Sequence, residues 1–156
     1  MADLARSACA VYVTGGSPMH LRSVLKDTAL LAALIEAWRN GATIAAAGEA
    51  GSVLCSHMVD SRGGAFTVGL DLITTMTVVP RRDKWSPEKL HRTVELAHRG
   101  LPVVGIDEAT ALIRSADGTW RVEGAGNVHV FVDGRSAGMD ALPAELNPAL
   151  ADASCC

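Results

Sequence analysis

The sequence predicts an α/β fold with parallel strands, because short strand patterns alternate with helical patterns along the chain. Residues 11–14 and 43–47 are runs of β-branched or small apolar residues, and a helical pattern follows each of them. The longest helical pattern, residues 28–40, lies between the two and ends at Gly41 as a C-cap. A strand, a helix and a second strand in this order form a crossover unit with parallel strands.

The second half of the chain predicts more strands and a further helix. Residues 75–79 and 102–106 are strand patterns, and Ser86 and Pro87 fit the N-cap and first position of a helix between them that runs to about Arg99. Two short strands, residues 110–114 and 119–123, flank Asp117 and Gly118 and predict a hairpin, and the last strand pattern covers residues 127–132.

Composition limits both the size of the protein and its function class. The chain has 156 residues and 49% hydrophobic content, which suits one core, so we predict a single domain over residues 1–136. From residue 137 onward periodicity fades and prolines enter, and we predict a disordered tail over residues 137–156.

Charge and hydropathy predict a soluble, cytoplasmic protein without a nucleic-acid or membrane partner. The net charge of −3 comes from mixed signs without a basic stripe. The longest apolar run, residues 29–37, contains Glu36 and is too short to span a membrane, and the N-terminus lacks the apolar core of a secretory signal. We predict no cofactor and no metal, since the cysteines have no zinc-site spacing: Cys9, Cys55, Cys155 and Cys156.

The most informative segment is residues 43–58, TIAAAGEAGSVLCSHM, which predicts a strand that turns sharply into a helix over residues 49–58. Hydrolases mount a nucleophilic serine on such a turn with the pattern G-x-S-x-G, because small neighbours permit the strained backbone. Here small residues surround Glu49 on both sides, and no serine stands at the turn. The sequence therefore predicts the backbone of a nucleophile elbow without its usual nucleophile.

Several segments in order carry a family resemblance: VYVTGGSPMHL, the small-residue elbow, RGGAFTVGL, VVPRRDKWSPEKLHRTVEL, GIDEATAL and GNVHVFVDG. They resemble the peptidase E and cyanophycinase group, peptidase family S51, within the class I glutamine amidotransferase-like superfamily. The resemblance covers residues 11–134 and implies a flavodoxin-like three-layer sandwich with a mostly parallel sheet and a C-terminal β-hairpin region. It also implies a serine nucleophile at the elbow and a later histidine as general base.

The resemblance further implies a β-α unit before residue 11, and we expect this unit to be missing because the sequence begins close to the strand at residue 11. An absent strand leaves a sheet edge or an apolar helix face that needs cover. We therefore expect a homo-oligomer, or a partner that covers the place of this unit.

The family's catalytic positions carry other residue types in this sequence. Matching the elbow glycines places Glu49 at the nucleophile position, and a shift of one residue places Gly48 there. The family's histidine step corresponds to Pro80 and Arg81, which puts Arg81 at the position of the general base. Glu108, in GIDEATAL, matches an acidic position of the family, although a solvated turn carboxylate explains it equally well. Serine and histidine act as a unit, so losing both removes the mechanism.

Other parts of an active site have candidates. The resemblance assigns Gly15 and Gly16 to the loop whose N–H groups help to form the oxyanion hole, and we add Ser17 and Ala50 as oxyanion or ligand-binding residues. His91, Glu95 and His98 have the spacing of one helix face, which fits a metal cluster, but an ordinary solvated face explains them better.

These observations predict a degenerate serine-peptidase-like protein that lacks the catalytic Ser and His and serves in binding or assembly, with a peptide-like or carboxylate small molecule as its ligand. The alternative is an active hydrolase or amidotransferase-like enzyme with a rearranged site that uses Glu49, Ser52 or Cys55. Glu49 also has a simpler interpretation, because an acidic residue in the first turn stabilises a helix through its dipole.

Overall fold

A computed structural model of the chain describes residues 1–151, with side chains through residue 150. The helices are α1 (Ala2–Arg6), α2 (Pro18–Leu25), α3 (Ala29–Arg39), α4 (Glu49–Val53), α5 (Pro87–Leu96) and α6 (Pro148–Ala151). The strands are β1 (Ala10–Thr14), β2 (Thr43–Ala47), β3 (His57–Val59), β4 (Phe66–Val68), β5 (Thr77–Pro80), β6 (Val103–Ile106), β7 (Thr110–Arg114), β8 (Trp120–Gly124), β9 (Val128–Val132) and β10 (Arg135–Ala137).

The predicted crossover unit is present at the start of the fold. β1 and β2 pair in parallel with Val11 opposite Ile44, and α2 and α3 connect them. The side chains of Ser17 and Thr28 accept hydrogen bonds from the first turns of α2 and α3 and so fix where each helix begins. Within residues 1–151, β1 has β2 as its only strand partner.

A four-stranded sheet of order β10-β9-β6-β5 forms the second half of the fold. β5 and β6 are parallel and are joined by α5, whereas β9 and β10 extend the sheet in antiparallel fashion. Ser86 caps α5 and Pro87 is its first residue, as the sequence predicts. α5 ends at Leu96, before the expected end at Arg99, because Ala97 already has an extended backbone. β7 and β8 form the predicted hairpin.

Apolar side chains cover both faces of this sheet. Val79 and Val103 belong to one core cluster together with Val94 of α5. Their neighbours Val78 and Val104 lie in a second cluster, on the opposite face, because successive side chains of a strand alternate. Covering on both faces is what parallel strands require, and the predicted α/β fold class is confirmed.

The predicted helix over residues 49–58 is wrong in its second half. α4 ends at Val53, and β3 follows it in an antiparallel pair with β4. A later segment supplies the reason: the N–H of Leu70 donates to the carbonyl of Val53 at 2.9 Å, and the N–H of Leu72 donates to that of Leu54 at 3.0 Å. These carbonyls are thereby satisfied from outside the helix, which stops α4 after about one turn.

The predicted disorder after residue 137 is wrong for residues 137–147. Leu142 is buried in the second core cluster, and Trp120 donates its indole N–H to the carbonyl of Pro143 at 3.0 Å. The side chain of buried Asn147 donates to the carbonyl of Asp71 at 2.7 Å. The predicted tail residues Cys155 and Cys156 lie outside the described residues. Within the described part of the chain, no helix is long and apolar enough to cross a membrane.

The closest backbone approach in this region predicts a stability effect at Gly69. A Cβ at this position would overlap the carbonyl oxygen of Cys55 and lie 2.7 Å from that of Val53. We expect Gly69→Ala to lower the free energy of unfolding by about 2 kcal/mol or more, because backbone atoms cannot move aside cheaply. Urea unfolding followed by circular dichroism measures the change. Gly63→Ala is the matched control, since a Cβ there meets nothing within 4 Å; an equal loss in both variants would contradict this account.

Candidate functional site

The turn between β2 and α4 has its strained residue at Gly48. This residue has φ 57° and ψ −132°, whereas Glu49 is already the first residue of the helix. A Cβ at Gly48 would meet nothing within 4 Å, so backbone conformation rather than space favours glycine here. The backbone position at which a nucleophile elbow carries its strain is therefore Gly48, which has no side chain.

Glu49 and Arg81, which the sequence assigns to the nucleophile and base positions, lie together as an ion pair. Nη2 of Arg81 is 3.6 Å from Oε1 of Glu49, and the two side chains are 56% and 11% exposed. The second carboxylate oxygen, Oε2, is buried and has no hydrogen-bond partner among residues 1–151. Arg81 directly follows β5 and has a left-handed backbone, with φ 48° and ψ 47°.

This pair limits the chemistry of the site. A guanidinium remains protonated in proteins, so Arg81 has no means of accepting a proton from a nucleophile as histidine does. A carboxylate can form covalent intermediates, but the carboxylate of Glu49 faces a cation and is almost completely buried. The more exposed partner, Arg81, offers planar N–H donors that suit a carboxylate ligand.

The predicted oxyanion loop lies against the start of α4. A Cβ on Gly15 would come within 2.8 Å of the backbone nitrogen of Ala50, so the glycine permits this close approach. A Cβ on Gly16 would meet nothing within 4 Å, and the hydroxyl of Ser17 accepts a hydrogen bond from the N–H of His20 at 3.4 Å. Gly15 and Ala50 are thus neighbours, while Ser17 caps α2.

Glu108 lies beside the segment that follows β5, but it pairs with a different residue. Its carboxylate is 3.1 Å from the ammonium of Lys84, and its N–H donates to Asp83 at 2.7 Å. The adjacent Asp107, which the sequence did not single out, accepts a hydrogen bond from the N–H of Asn127 at 3.0 Å. The only signal for Asp107 was its place in GIDEATAL. Asp107 and Glu108 therefore connect the loop after β6 to the loops that contain Asp83 and Asn127.

Comparisons with known proteins identify the family of this chain. The sequence model of Peptidase family S51 matches residues 2–121. The chain belongs to peptidase family S51. It is 32% identical over 132 residues to a cyanophycinase from Synechococcus elongatus, and 28% identical over 134 residues to one from Trichormus variabilis. These alignments cover 77% and 79% of this chain but only 40% and 45% of the cyanophycinases, so the chain spans less than half of their length.

The solved structure of a peptidase has a similar fold. The crystal structure of a peptidase from an acI-B1 Actinobacterium superposes with a TM-score of 0.73 at 28% sequence identity. The match covers 87% of this chain and 58% of the other. The resemblance to the S51 group and the α/β peptidase fold are both confirmed.

In this S51 chain, Ser52 and Cys55 are core residues. Ser52 is fully buried and accepts the N–H of Val59 at 2.8 Å. Cys55 is also fully buried, and burial raises the pKa of its thiol to about 12, so the thiol is protonated at neutral pH. Neither side chain is accessible to a substrate in this conformation.

The histidines of α5 do not form the face that their spacing suggests. α5 ends before His98, whose ring lies 4.7 Å from that of His57. Burial, and secondly the neighbouring His98, lower the pKa of His57. Among residues 1–151, no group of three or more His, Cys, Asp or Glu side chains has the geometry to hold a metal ion.

The burial of Cys55 predicts how the thiols react. We expect iodoacetamide at pH 7.5 to alkylate Cys9, which is exposed, and to leave Cys55 unmodified until the protein is unfolded in guanidinium. Peptide mapping by mass spectrometry distinguishes the two sites, and Cys9 serves as the internal control. Rapid labelling of Cys55 in the folded protein would contradict its burial and would favour a thiol-based site.

Proposed function

We propose that this chain is a non-catalytic member of family S51, which uses the peptidase fold for binding or assembly. The observation that carries the proposal is that neither candidate nucleophile position offers a hydroxyl or thiol, because Gly48 has no side chain and Glu49 is paired with Arg81, the candidate for the base position. Serine supplies the attacking oxygen and histidine accepts its proton, so a carboxylate held by a guanidinium supports neither step. Ser52 and Cys55 lie buried in the core, which argues against a substitute nucleophile.

The ligand that we propose for this site is a carboxylate, free or as part of a peptide. Arg81 is more than half exposed, and the 3.6 Å between its Nη2 and Oε1 of Glu49 is longer than a hydrogen bond. Donors of the guanidinium therefore remain free to bind a second carboxylate in the bidentate geometry that arginine favours. Small acidic peptides, such as aspartyl dipeptides, fit this requirement.

Hydrolysis assays test the loss of catalysis. We expect the wild-type protein to hydrolyse cyanophycin and aspartyl dipeptides no faster than a Glu49→Gln variant, because neither protein contains an activated nucleophile. The double variants Glu49→Ser/Arg81→His and Gly48→Ser/Arg81→His restore both residue types at the two candidate elbow positions. Measurable turnover by either double variant, monitored by released amino acid, would identify the position that matches the family nucleophile.

Turnover by the wild-type protein that disappears in Glu49→Gln would contradict the proposal and establish the rearranged site instead. Calorimetric titration of the same proteins with an aspartyl dipeptide measures the proposed binding of a carboxylate ligand. Arg81→Gln should weaken this binding about tenfold or more, as expected for the loss of a charged hydrogen bond.

We propose assembly through β1, whose outer edge pairs with no strand of residues 1–151 and lies along an apolar groove. The groove has a volume of about 490 Å³, and all five residues of β1 but none of β2 line it, so it follows the outer edge of β1. Leu4 and Tyr12, which are 75% and 66% exposed, are the most exposed large apolar side chains along it besides Met1. An edge with unpaired backbone groups is completed best by another strand.

A second copy of this chain supplies a suitable strand. Identical strands pair in antiparallel fashion about a two-fold axis, and the sequence of β1, AVYVT, contains no charge that would face its own copy. The same axis brings the exposed apolar side chains of both copies together. We therefore propose a homodimer that pairs β1 with β1 of the partner.

Light scattering after size-exclusion chromatography tests the dimer. We expect the wild-type protein to have the mass of a dimer, and Tyr12→Lys to be monomeric because it places two ammonium groups against each other across the axis. Val122→Lys, at a 37% exposed position on β8, is the matched control and should remain dimeric. A monomeric wild-type protein, or a dimeric Tyr12→Lys variant, would contradict pairing through β1.

A further inference from the structure

A second cavity is lined in part by Arg82, Asp83 and Trp85, which follow β5. It has a volume of about 360 Å³ and lies between α5 and the end of β9. This α5 pocket has apolar walls and a polar rim, and it is lined by Arg82, Asp83, Trp85, Pro87, Leu90, His91, Val94, Phe131 and Gly134. The volume is in the range of sites for small molecules, and the lining combines aromatic and aliphatic side chains with the polar Arg82, Asp83 and His91.

Arg82 is the unneutralised charge of the α5 pocket. No carboxylate within the described residues lies within 4 Å of its guanidinium nitrogens, and its Nε is buried without an acceptor. Asp83, the acidic residue of the lining, already accepts the N–H of Glu108 and lies 3.2 Å from the ammonium of Lys84. A guanidinium that lines a cavity without a carboxylate partner favours a ligand that brings an acceptor to its other nitrogens.

The position of Arg82 depends on Gly105 of β6. A Cβ on Gly105 would come 2.7 Å from Cγ and 3.1 Å from Cβ of Arg82, so the missing side chain leaves room for the arginine stem. These are the first atoms of the side chain and are tied to the backbone, so they cannot easily move away. Gly105 therefore leaves the space in which the side chain of Arg82 lies over β6 and beside the pocket.

The aromatic walls of the α5 pocket indicate that its ligand also has an apolar part. The indole of Trp85 is held by the ammonium of Lys89, which lies 3.9 Å from the ring centroid, and Phe131 contributes a second ring. Leu90 and Val94 of α5 complete an apolar surface. Such walls favour a ring or another compact apolar group by burial and by stacking.

We propose that the α5 pocket binds a small molecule in which a carboxylate is attached to an apolar, preferably aromatic, body. The carboxylate pairs with Arg82 in the bidentate geometry of a guanidinium, and the apolar body lies between Trp85 and Phe131. Neither Glu49 nor Arg81 lines this pocket, so the inference does not depend on the loss of catalysis.

Phenylacetate is the probe that tests the pocket, in a titration followed by ¹H–¹⁵N NMR on the isotope-labelled protein. We expect saturable shifts of the indole N–H of Trp85 and of the amides of Leu90, Val94 and Phe131. 2-Phenylethanol, which keeps the ring without the charge, and inorganic phosphate, which keeps the charge without the ring, should each bind about tenfold more weakly or worse.

Two variants separate the charge of Arg82 from its placement. Arg82→Gln should weaken phenylacetate binding about tenfold or more, and Gly105→Ala should also weaken it although the guanidinium is retained. Arg121→Gln, on β8, lines no part of the pocket and should bind as the wild-type protein does. The spectra of the free variants show whether each one is folded.

Four results would overturn the proposal. The first is the absence of saturable shifts at the pocket residues, and the second is equal binding by wild-type protein and a folded Arg82→Gln variant. The third is phosphate binding as strong as that of phenylacetate, which would remove the apolar body from the proposal. Shifts confined to Arg81 and Glu49 would assign the carboxylate to the elbow and equally contradict a site beneath α5.

Discussion

The packing of α4 on all sides is the constraint on which the rest of the structure depends. Ala50, Ser52 and Val53 have no exposed surface. The loop that follows β1, the strand β5 and the strand β3 all contact this short helix. Gly15 approaches the nitrogen of Ala50, and Gly51 lies under Val78 of β5. The strand β3 is held by the hydroxyl of Ser52. An element this tightly enclosed leaves side-chain access to the site only at its first residue, Glu49.

This enclosure determines the electrostatics of the site. A carboxylate that is 11% exposed loses much of its hydration, and a buried charge without a partner is strongly destabilising. Arg81 provides the partner, and its left-handed backbone after β5 places the guanidinium beside the turn. Because Arg81 is itself more than half exposed, the attraction contributes about 1 kcal/mol or less. The pair is thus better understood as neutralising Glu49 than as holding the fold together.

Features with a local cause were predictable from the sequence. The caps Ser86 and Pro87, the hairpin turn at Gly118 and the strained turn at Gly48 all arise from the conformational preferences of a few neighbouring residues. These preferences operate in any tertiary context, and single-sequence reasoning uses them directly. The fold class and the elbow were accordingly predicted with their approximate boundaries.

Features with a distant cause were missed. α4 has an apolar continuation that looks helical, and it ends early only because the loop containing Leu70 and Leu72 bonds to its last carbonyls. Residues after 137 have no periodicity, yet Asn147 reaches a carbonyl 76 positions away and Trp120 one 23 positions away. The α5 pocket needs Arg82 to lie over Gly105, a contact that no spacing rule contains. Pairwise contacts of this kind are set by the assembled core.

The same division between backbone and side-chain requirements explains why the elbow identifies the family more firmly than it identifies the reaction. Gly48 adopts a positive φ, and Gly15 leaves room for the backbone nitrogen of Ala50. Both glycines are therefore needed to build the turn, whatever reaction the site performs. A hydroxyl and an imidazole contribute to hydrolysis but are not needed to build the turn. A chain with Glu49 at the turn and Arg81 after β5 meets the folding demands of the site, provided that the two charges neutralise each other. The structure satisfies that condition, and an intact elbow is therefore compatible with a site that performs no hydrolysis.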